Sequence, residues 1–192
     1  MESDERPAML IIDMVKDNFD ETKNLPITPL ARKLIDPINR LTRAFRKKGW
    51  PVVFSTDAFK RQDFIFRGKM KPHSLAGTRG AEVIGELERE VGDLWLPKPR
   101  FSAFFQTELD RRLREMGVTM CVLAGITTNF CVLATAMDAL SKDFKTVILE
   151  DCTAAVTEEI HHNTLGLYRR NALWPLFRIM TSEEWLHSSP LS

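Results

Sequence analysis

Short runs of hydrophobic residues alternate along this chain with longer segments in which hydrophobic residues recur every three or four positions. Apolar runs too short for a helix predict strands at residues 8–12, 52–55, 94–97, 120–124, 145–149 and 177–180. Helical spacing predicts helices over residues 30–48, 80–90, 107–116 and 157–171, and another that begins at Cys131. Strands that are apolar on both faces and alternate with helices are typical of a mostly parallel sheet covered on both sides. The pattern therefore predicts an α/β fold with a six-stranded sheet and helices on both faces.

Length, charge and cysteine content exclude several classes of protein. The chain has 192 residues without a linker or repeat, so we expect one domain over residues 1–192. The net charge is +1 and no basic cluster is interleaved with aromatic residues, so we expect no nucleic acid partner. No apolar run is long enough to cross a membrane, and the acidic start does not resemble a signal peptide. Three cysteines without framework spacing indicate a reducing compartment, so we expect a cytoplasmic protein.

Polar residues stand at the carboxyl ends of three predicted strands, where open α/β proteins bind ligands. Asp13 follows the first strand, Lys98 follows the third, and Cys131 follows the turn in which Gly125 ends the fourth. Backbone N–H groups and the positive end of a helix dipole favour a thiolate at such a cysteine. A carboxylate can take the thiol proton, a lysine can keep that carboxylate ionised, and N–H groups of the turn can bind an oxyanion. Together these residue types predict nucleophilic catalysis by cysteine.

Other polar and reactive features point elsewhere. Neither a dinucleotide fingerprint nor a P-loop follows any predicted strand, so nucleotide binding lacks its usual motifs. Cys121 lies inside a predicted strand and Cys152 in a similar apolar context, and both are expected to be core residues. His161 and His162 lie on a late helix, and we expect both at the surface. Residues 58–79 show no period, and an irregular insertion of that length usually has a function.

Longer stretches around these residues resemble the isochorismatase-like cysteine hydrolases, a superfamily that includes nicotinamidases and carbamoylsarcosine amidases. The matching stretches are LIIDMVKDNF, LPKPRFSAFFQTELDRRLREMGV, VLAGITTNFCVLATAMDA and VILEDCTAA, in the expected order across nearly the whole chain. The resemblance implies that Asp13 is the general base, Lys98 its electrostatic partner and Cys131 the nucleophile. It also implies a cis peptide between Ile126 and Thr127, with the Thr127 N–H turned toward the oxyanion beside that of Cys131. The family fold is a three-layer Rossmann-like sheet, and members are often dimers or tetramers.

Substrate contacts are expected from the residues that match the family's pocket: Phe19, Asp57, Ile126 and Thr127, with Phe101 and Phe104 as further candidates for its wall. One departure affects this wall. The family usually has an Asp-Phe pair soon after the base, whereas Asn18 separates Asp17 from Phe19 here. Such an insertion shifts the wall and bears on specificity rather than on the chemistry.

A second departure concerns metal binding. Nicotinamidases carry an Asp-x-His pair after the second strand and a further histidine, which together bind a divalent metal. Here Asp57 and His73 are present, but Phe59 stands at the position of the first histidine, and nothing in the spacing requires Asp63 to replace it. Three protein ligands are the usual minimum for catalytic zinc. We therefore expect neither a metal nor another cofactor, and nicotinamide is a less favoured substrate.

The sequence thus predicts a metal-independent amidohydrolase that cleaves a C–N bond of a small amide or carbamoyl compound through a thioester. One alternative is a vinyl-ether hydrolase like the isochorismatases, but members of that branch lack the cysteine. Another is a catalytically silent scaffold that acts as a binding or assembly subunit, for which Phe59 is the only support. A redox or sensing role for the thiol finds no resolving position in Cys121 or Cys152.

Overall fold

Six parallel strands form one sheet in the order β3-β2-β1-β4-β5-β6 in the computed structural model, which describes residues 5–188. The strands are β1 (Pro7–Ile12), β2 (Val52–Asp57), β3 (Leu94–Lys98), β4 (Met120–Ile126), β5 (Lys145–Ala154) and β6 (Phe177–Met180). The predicted parallel six-stranded sheet with Rossmann-like strand order is therefore confirmed. The acidic start that we compared with a signal peptide lies largely in residues 1–4, outside the described residues.

Helices cover both faces of the sheet. In residues 5–188 they are α1 (Ile27–Arg32), α2 (Ile35–Lys47), α3 (Leu109–Glu115), α4 (Leu133–Ser141), α5 (Glu158–Tyr168) and α6 (Ser182–Ser188). Alternate residues of β1 enter two cores: Met9 and Ile11 pack with α1, α2 and α6, whereas Leu10 and Ile12 pack with α3, α4 and α5. No helix in this part of the chain is long and apolar enough to cross a membrane.

The predicted helix over residues 30–48 is two helices in the structure. The helix is interrupted between α1 and α2, and Pro37 lies in the first turn of α2. Proline has no N–H to donate to the carbonyl four residues earlier, so it is tolerated in a first turn but not within a continuous helix. The apolar positions Ile38, Leu41 and Phe45 are buried as the helical spacing predicts.

The first five strands are longer than predicted, and the extensions of the fourth and fifth bear on the site. The fourth passes through Gly125 and ends at Ile126, and the fifth continues past Leu149 to Ala154. Gly125 has φ +104°, and a Cβ there would lie 2.1 Å from the carbonyl oxygen of Ile12 on β1. The glycine therefore permits the close approach of β1 and β4, where the strand order reverses and the ends of both strands form a crevice.

Candidate active site

A buried lysine lies between two carboxylates at the carboxyl edge of the sheet. Lys98, the last residue of β3, is 0% exposed, and its Nζ lies 2.8 Å from Oδ2 of Asp13. The same ammonium contacts Oδ1 of Asp57, the last residue of β2 and the register partner of Lys98. The N–H of Asp57 donates to Oδ1 of Asp13 at 2.7 Å. The ends of β1, β2 and β3 thus assemble one cation and two carboxylates.

These charges shift one another's protonation. Burial lowers the pKa of Lys98, but its electrostatic interactions with Asp13, Cys131 and Asp57 outweigh burial and raise it, so the ammonium stays charged. Burial, together with the charge of Asp13, raises the pKa of Asp57 to about 8, although Lys98 opposes this rise. Burial therefore favours the protonated form of Asp57, and the ammonium of Lys98 lies within 2.8 Å of the other carboxyl group, that of Asp13.

Cys131 reaches this cluster from a π-helical turn, Thr128–Val132, that connects β4 to α4. It is 8% exposed, and one ligating atom from each of Cys131, Asp13 and Asp57 lies within 4.8 Å of the others. Its carbonyl accepts a hydrogen bond from Oγ1 of Thr135 at 2.7 Å. The α-helix was expected to begin at Cys131 but begins two residues later, after the π-helical turn. Topology therefore brings the three predicted residues of the constellation together.

The resting thiol is subject to opposing effects. Burial and the charge of Asp13 raise the pKa of Cys131 well above its ordinary value, and the nearby Lys98 lowers it only in part. Burial therefore opposes the backbone N–H groups and the helix dipole, which favour a thiolate at this position. A cysteine that keeps its proton needs a base in contact with it, and Asp13 is the carboxylate in that position.

A cavity of about 270 Å³ lies over the cysteine, and apolar side chains form most of its wall. Its polar lining is Asp13, Asn18, Asp57, Thr127, Cys131 and His73; its apolar lining is Ile27, Phe59, Met70, Phe101, Ile126, Phe130 and Val156. The peptide between Ile126 and Thr127 is cis, as the resemblance implies. A small molecule in this cavity would lie against the thiol, the carboxylates and the turn after β4.

Residues 7–184 match the family model described as Isochorismatase domain. The chain belongs to the isochorismatase family. It is 44% identical over 173 residues to ureidoacrylate amidohydrolase RutB of Pantoea ananatis, covering 78% of this chain and 69% of the relative. Its structure is similar to that of N-carbamoylsarcosine amidase from Thermoplasma acidophilum, with a TM-score of 0.79, 32% identity and coverage of 93% and 97% of the two chains. It is also similar to pyrazinamidase of Pyrococcus horikoshii in complex with zinc, with a TM-score of 0.80, 27% identity and coverage of 92% and 99%.

The metal-binding residues expected of a zinc-containing family member do not fit here. Phe59 is buried and cannot ligate a metal, and its ring centroid lies 5.4 Å from that of His73. The ring of Phe66 packs edge-on against both, which makes a small aromatic cluster on the cavity wall. Asp57 faces the ammonium of Lys98, whose charge repels a second cation at the carboxylates.

The insertion at residues 58–79 carries this aromatic cluster, and it is irregular as predicted apart from a short 3-10 turn at Phe64–Arg67. Asp17 fixes the far end of the segment, because its Oδ2 accepts the N–H of Ser74 at 2.6 Å. Asp63, considered as a substitute metal ligand, instead forms an ion pair with Arg100 at 3.3 Å.

Two expected wall residues do not line the cavity. Phe19 and Phe104 are buried in the two hydrophobic cores, whereas Phe101 lines the cavity as expected. The residue missed in their place is Asn18, which lines the cavity and whose Nδ2 donates to the carbonyl of Asp13 at 2.9 Å. The position of Asn18 between Asp17 and Phe19 was the feature of the sequence that could have indicated its place at the cavity. Phe130, 58% exposed, was also missed, although it directly precedes the cysteine.

One histidine was wrongly expected at the surface. His162 is exposed, but His161 is buried beneath the turn that carries Cys131, and its Nδ1 lies 2.8 Å from Oγ1 of Thr128. The signal was the helical spacing, because His161 lies one turn before Leu165, the other buried residue of α5. The expectation for Cys121 and Cys152 is confirmed, since both are buried in the cores.

Proposed function

We propose that this chain is a metal-independent amidohydrolase that uses Cys131 as nucleophile on a small amide or carbamoyl compound. The observation that carries the proposal is the cluster of Asp13, Lys98 and Cys131, in which Asp13 and Cys131 line the cavity and the buried Lys98 contacts Asp13. The names of the relatives, an amidohydrolase and an amidase among them, support C–N bond cleavage as the reaction. The apolar wall suits a substrate with a small apolar portion.

In the first half of the reaction, Sγ of Cys131 attacks the carbonyl carbon while Asp13 takes the thiol proton. The carbonyl oxygen becomes an oxyanion, which the backbone N–H groups of Thr127 and Cys131 stabilise. The C–N bond then breaks, and Asp13 returns the proton to the leaving nitrogen. Ammonia or an amine leaves, and the acyl group stays on sulfur as a thioester.

In the second half, water attacks the thioester carbon and gives a proton to Asp13. The same two N–H groups donate hydrogen bonds to the second oxyanion, and collapse of this tetrahedral intermediate breaks the C–S bond. The departing sulfur recovers the proton from Asp13, and the acid product leaves. Lys98 favours the ionised form of Asp13 at the start of each half, and it neither gives nor takes a proton in this scheme.

Metal independence is supported by the chemistry of the donors. The phenylalanine at position 59 removes one ligand of the family's metal site, and the ammonium of Lys98 already contacts the aspartate that would be another. The expected one-domain organisation over residues 1–192, the cytoplasmic location and the dimer or tetramer remain predictions. Gel filtration with light scattering tests the last of these.

The decisive experiment measures ammonia release from a panel of small amides and carbamoyl compounds, nicotinamide included, with and without a chelator. Wild type is compared with Cys131→Ala, and Cys152→Ala serves as a matched control because that cysteine is buried away from the cavity. We expect release that survives the chelator and Cys152→Ala but is lost in Cys131→Ala. Loss of release with chelator would contradict metal independence.

The alternatives predict different results in the same experiment. Hydrolysis of a vinyl ether that persists in Cys131→Ala would favour an isochorismatase-type reaction. No turnover, together with a thiol that iodoacetamide modifies no faster than an ordinary cysteine, would favour the silent scaffold. Under the proposed reaction, modification of Cys131 is fast near neutral pH and slows in Asp13→Asn, because the base that removes the thiol proton is gone.

A further inference from the structure

The turn that holds the nucleophile is fixed on two sides by side chains. On its C-terminal side, Thr135 donates to the carbonyl of Cys131 and accepts the N–H of Ala103 at 3.0 Å. On its N-terminal side, the hydroxyl of Thr128 is 2.8 Å from Nδ1 of His161. The reaction scheme above uses neither His161 nor Thr128, although both are buried and both lie against the nucleophile's turn.

The contact between Thr128 and His161 joins two separate elements. Thr128 begins the π-helical turn, and its carbonyl accepts the N–H of Leu133 at the end of that turn. His161 is on α5, so its imidazole anchors the turn to a helix that follows much later in the chain. A hydrogen bond between two buried side chains fixes the angle of the threonine as well as its place, which apolar packing alone does not.

Burial lowers the pKa of His161, and the charges of His162 and Arg169 act in the same direction, against Glu150 and Glu158. The imidazole is therefore neutral at neutral pH and offers one donor and one acceptor. A threonine hydroxyl can donate to Nδ1 when that nitrogen is unprotonated and accept from it when it carries the proton, so the hydrogen bond forms with either tautomer. The role inferred for this pair thus needs no proton to move.

We propose that His161 is a positioning residue for the nucleophile: through Thr128 it fixes the first turn of the segment that aims Cys131 at the substrate. The inference rests on the proposed function in one respect, that Cys131 is the attacking group. Because a nucleophile displaced by a fraction of an ångström loses rate before it loses affinity, the effect falls on kcat and not on KM.

The test compares variants that keep or remove the hydrogen bond. His161→Phe and Thr128→Val remove it at similar volume, whereas His161→Asn and Thr128→Ser keep a polar partner. His162→Asn, on the same helix but exposed, is the matched control. Each variant is assayed for kcat and KM, for the rate at which iodoacetamide modifies Cys131, and for its melting temperature. The turnover rate of each variant is divided by the concentration of reactive Cys131 thiol, measured by titration.

We expect each removing variant to lower kcat about tenfold with KM within about twofold of wild type. The double variant His161→Phe with Thr128→Val should be no slower than the slower single variant, because both remove the same contact. His161→Asn, Thr128→Ser and His162→Asn should keep at least about half of the wild-type kcat. Modification of Cys131 should slow in the same variants that lower kcat.

Other outcomes overturn the inference. If His161→Phe lowers the melting temperature but leaves kcat per titrated site and the modification rate unchanged, the histidine is only a core residue. Additive losses in the double variant would show that the two residues act separately. The modification rate needs no substrate, so the inference can be judged even if turnover is absent. A wild-type rate of modification in His161→Phe refutes the positioning role, whereas turnover that survives Cys131→Ala refutes the proposed function.

Discussion

Replacing Lys98 with methionine removes the central cation of the site and keeps a side chain of similar length. The ammonium is fully buried and contacts the carboxylates of both Asp13 and Asp57. The variant therefore leaves the carboxyl groups of Asp13 and Asp57 side by side without the counter-charge. We expect a loss of stability far larger than for an ordinary surface lysine.

The size of this loss follows from the geometry. Opposite unit charges 2.8 Å apart, the separation of Lys98 and Asp13, attract by about 6 kcal/mol at an effective dielectric constant of about 20. Part of that attraction offsets the cost of burying the lysine, and removal of one partner from a buried pair typically costs about 3–5 kcal/mol. Since domains of this kind are stable by about 5–15 kcal/mol, the variant should fold but with much of its margin lost.

The loss should grow as the pH rises. The pKa of Asp57 is already raised to about 8 in the wild type although Lys98 opposes the rise, so loss of Lys98 raises this pKa further. The carboxyl group of Asp57 then holds more protons in the folded variant than in the folded wild type, while the lysine proton is lost equally from the folded and unfolded states. Stability therefore falls more steeply with pH in the variant, because protonation relieves the repulsion at acid pH.

Urea unfolding at about pH 5.5 and about pH 8.5 measures both effects. We expect a loss of about 4 kcal/mol at the higher pH and at least about 1 kcal/mol less at the lower pH. Lys33→Met is the control, because its ion pair with Glu158 is exposed and should contribute less than about 1 kcal/mol. A Lys98→Met loss no larger than the control, or one that does not change with pH, would refute the electrostatic reasoning.

Three further predictions concern the same crevice. Gly125→Ala should cost about 4 kcal/mol or more in urea unfolding, because its Cβ would meet the carbonyl of Ile12; a loss below about 1 kcal/mol would contradict the close approach. Asp57→Asn should reduce the fall in stability that the wild type shows between about pH 4 and about pH 8, because a carboxyl group with a raised pKa stabilises the folded state at low pH and this contribution is lost as the pH rises through that pKa. An unchanged pH dependence of stability in this variant would contradict the prediction. Phe59→His should bind zinc at least about tenfold more tightly than wild type by calorimetry, because it adds a third donor near His73 and Asp57; equal weak binding would show that the aspartate is not free to ligate.

The sheet could be predicted from the sequence because its strands are continuous apolar runs. Each of the six apolar runs forms a strand, and the positions of Asp13 and Lys98 at the edge of the sheet were predicted from where those runs end. The extension of β5 was missed because Glu150 and Asp151 looked like the end of a strand. In the structure Asp151 accepts from the N–H and Oγ of Ser182 at 2.7 and 2.6 Å, so a charge within the strand has its partners in the start of α6.

The helix predicted over residues 80–90 is absent, and only a 3-10 turn at Arg79–Ala81 forms there. Ile84 and Leu87 are buried with the spacing of a helix, which misled the prediction. Side chains of α2 instead satisfy this backbone: Asn39 donates to the carbonyl of Glu86 at 2.9 Å and accepts the N–H of Glu88 at 2.9 Å. Hydrogen bonds from a distant element replaced those of a helix, and local spacing carries no information about them.

The parts of the site that were missed also depend on contacts between distant segments. His161 differs from His162 only in the face of α5 on which it lies, and its burial depends on where the turn after β4 packs. Phe19 was assigned to the cavity because it matches a residue of the family's pocket. The 3-10 turn at Lys16–Phe19 instead buries the phenylalanine in the core and leaves Asn18 at the cavity.

A buried thiol with a raised pKa can still act as nucleophile because its proton has a short distance to travel within a site of fixed charge. When the proton passes from Cys131 to Asp13, one negative charge disappears from the carboxylate and one appears on sulfur. The ammonium of Lys98 lies 2.8 Å from the carboxylate, and its charge also lowers the pKa of the thiol. It therefore stabilises the negative charge on the carboxylate before the transfer and on the sulfur after it. Burial penalises a thiolate formed by loss of the proton to water, but it penalises this internal transfer much less, since the total charge of the site does not change. Under the proposed function, the arrangement therefore reconciles a protonated cysteine with nucleophilic attack, and Asp13 is then as necessary to the reaction as the sulfur itself.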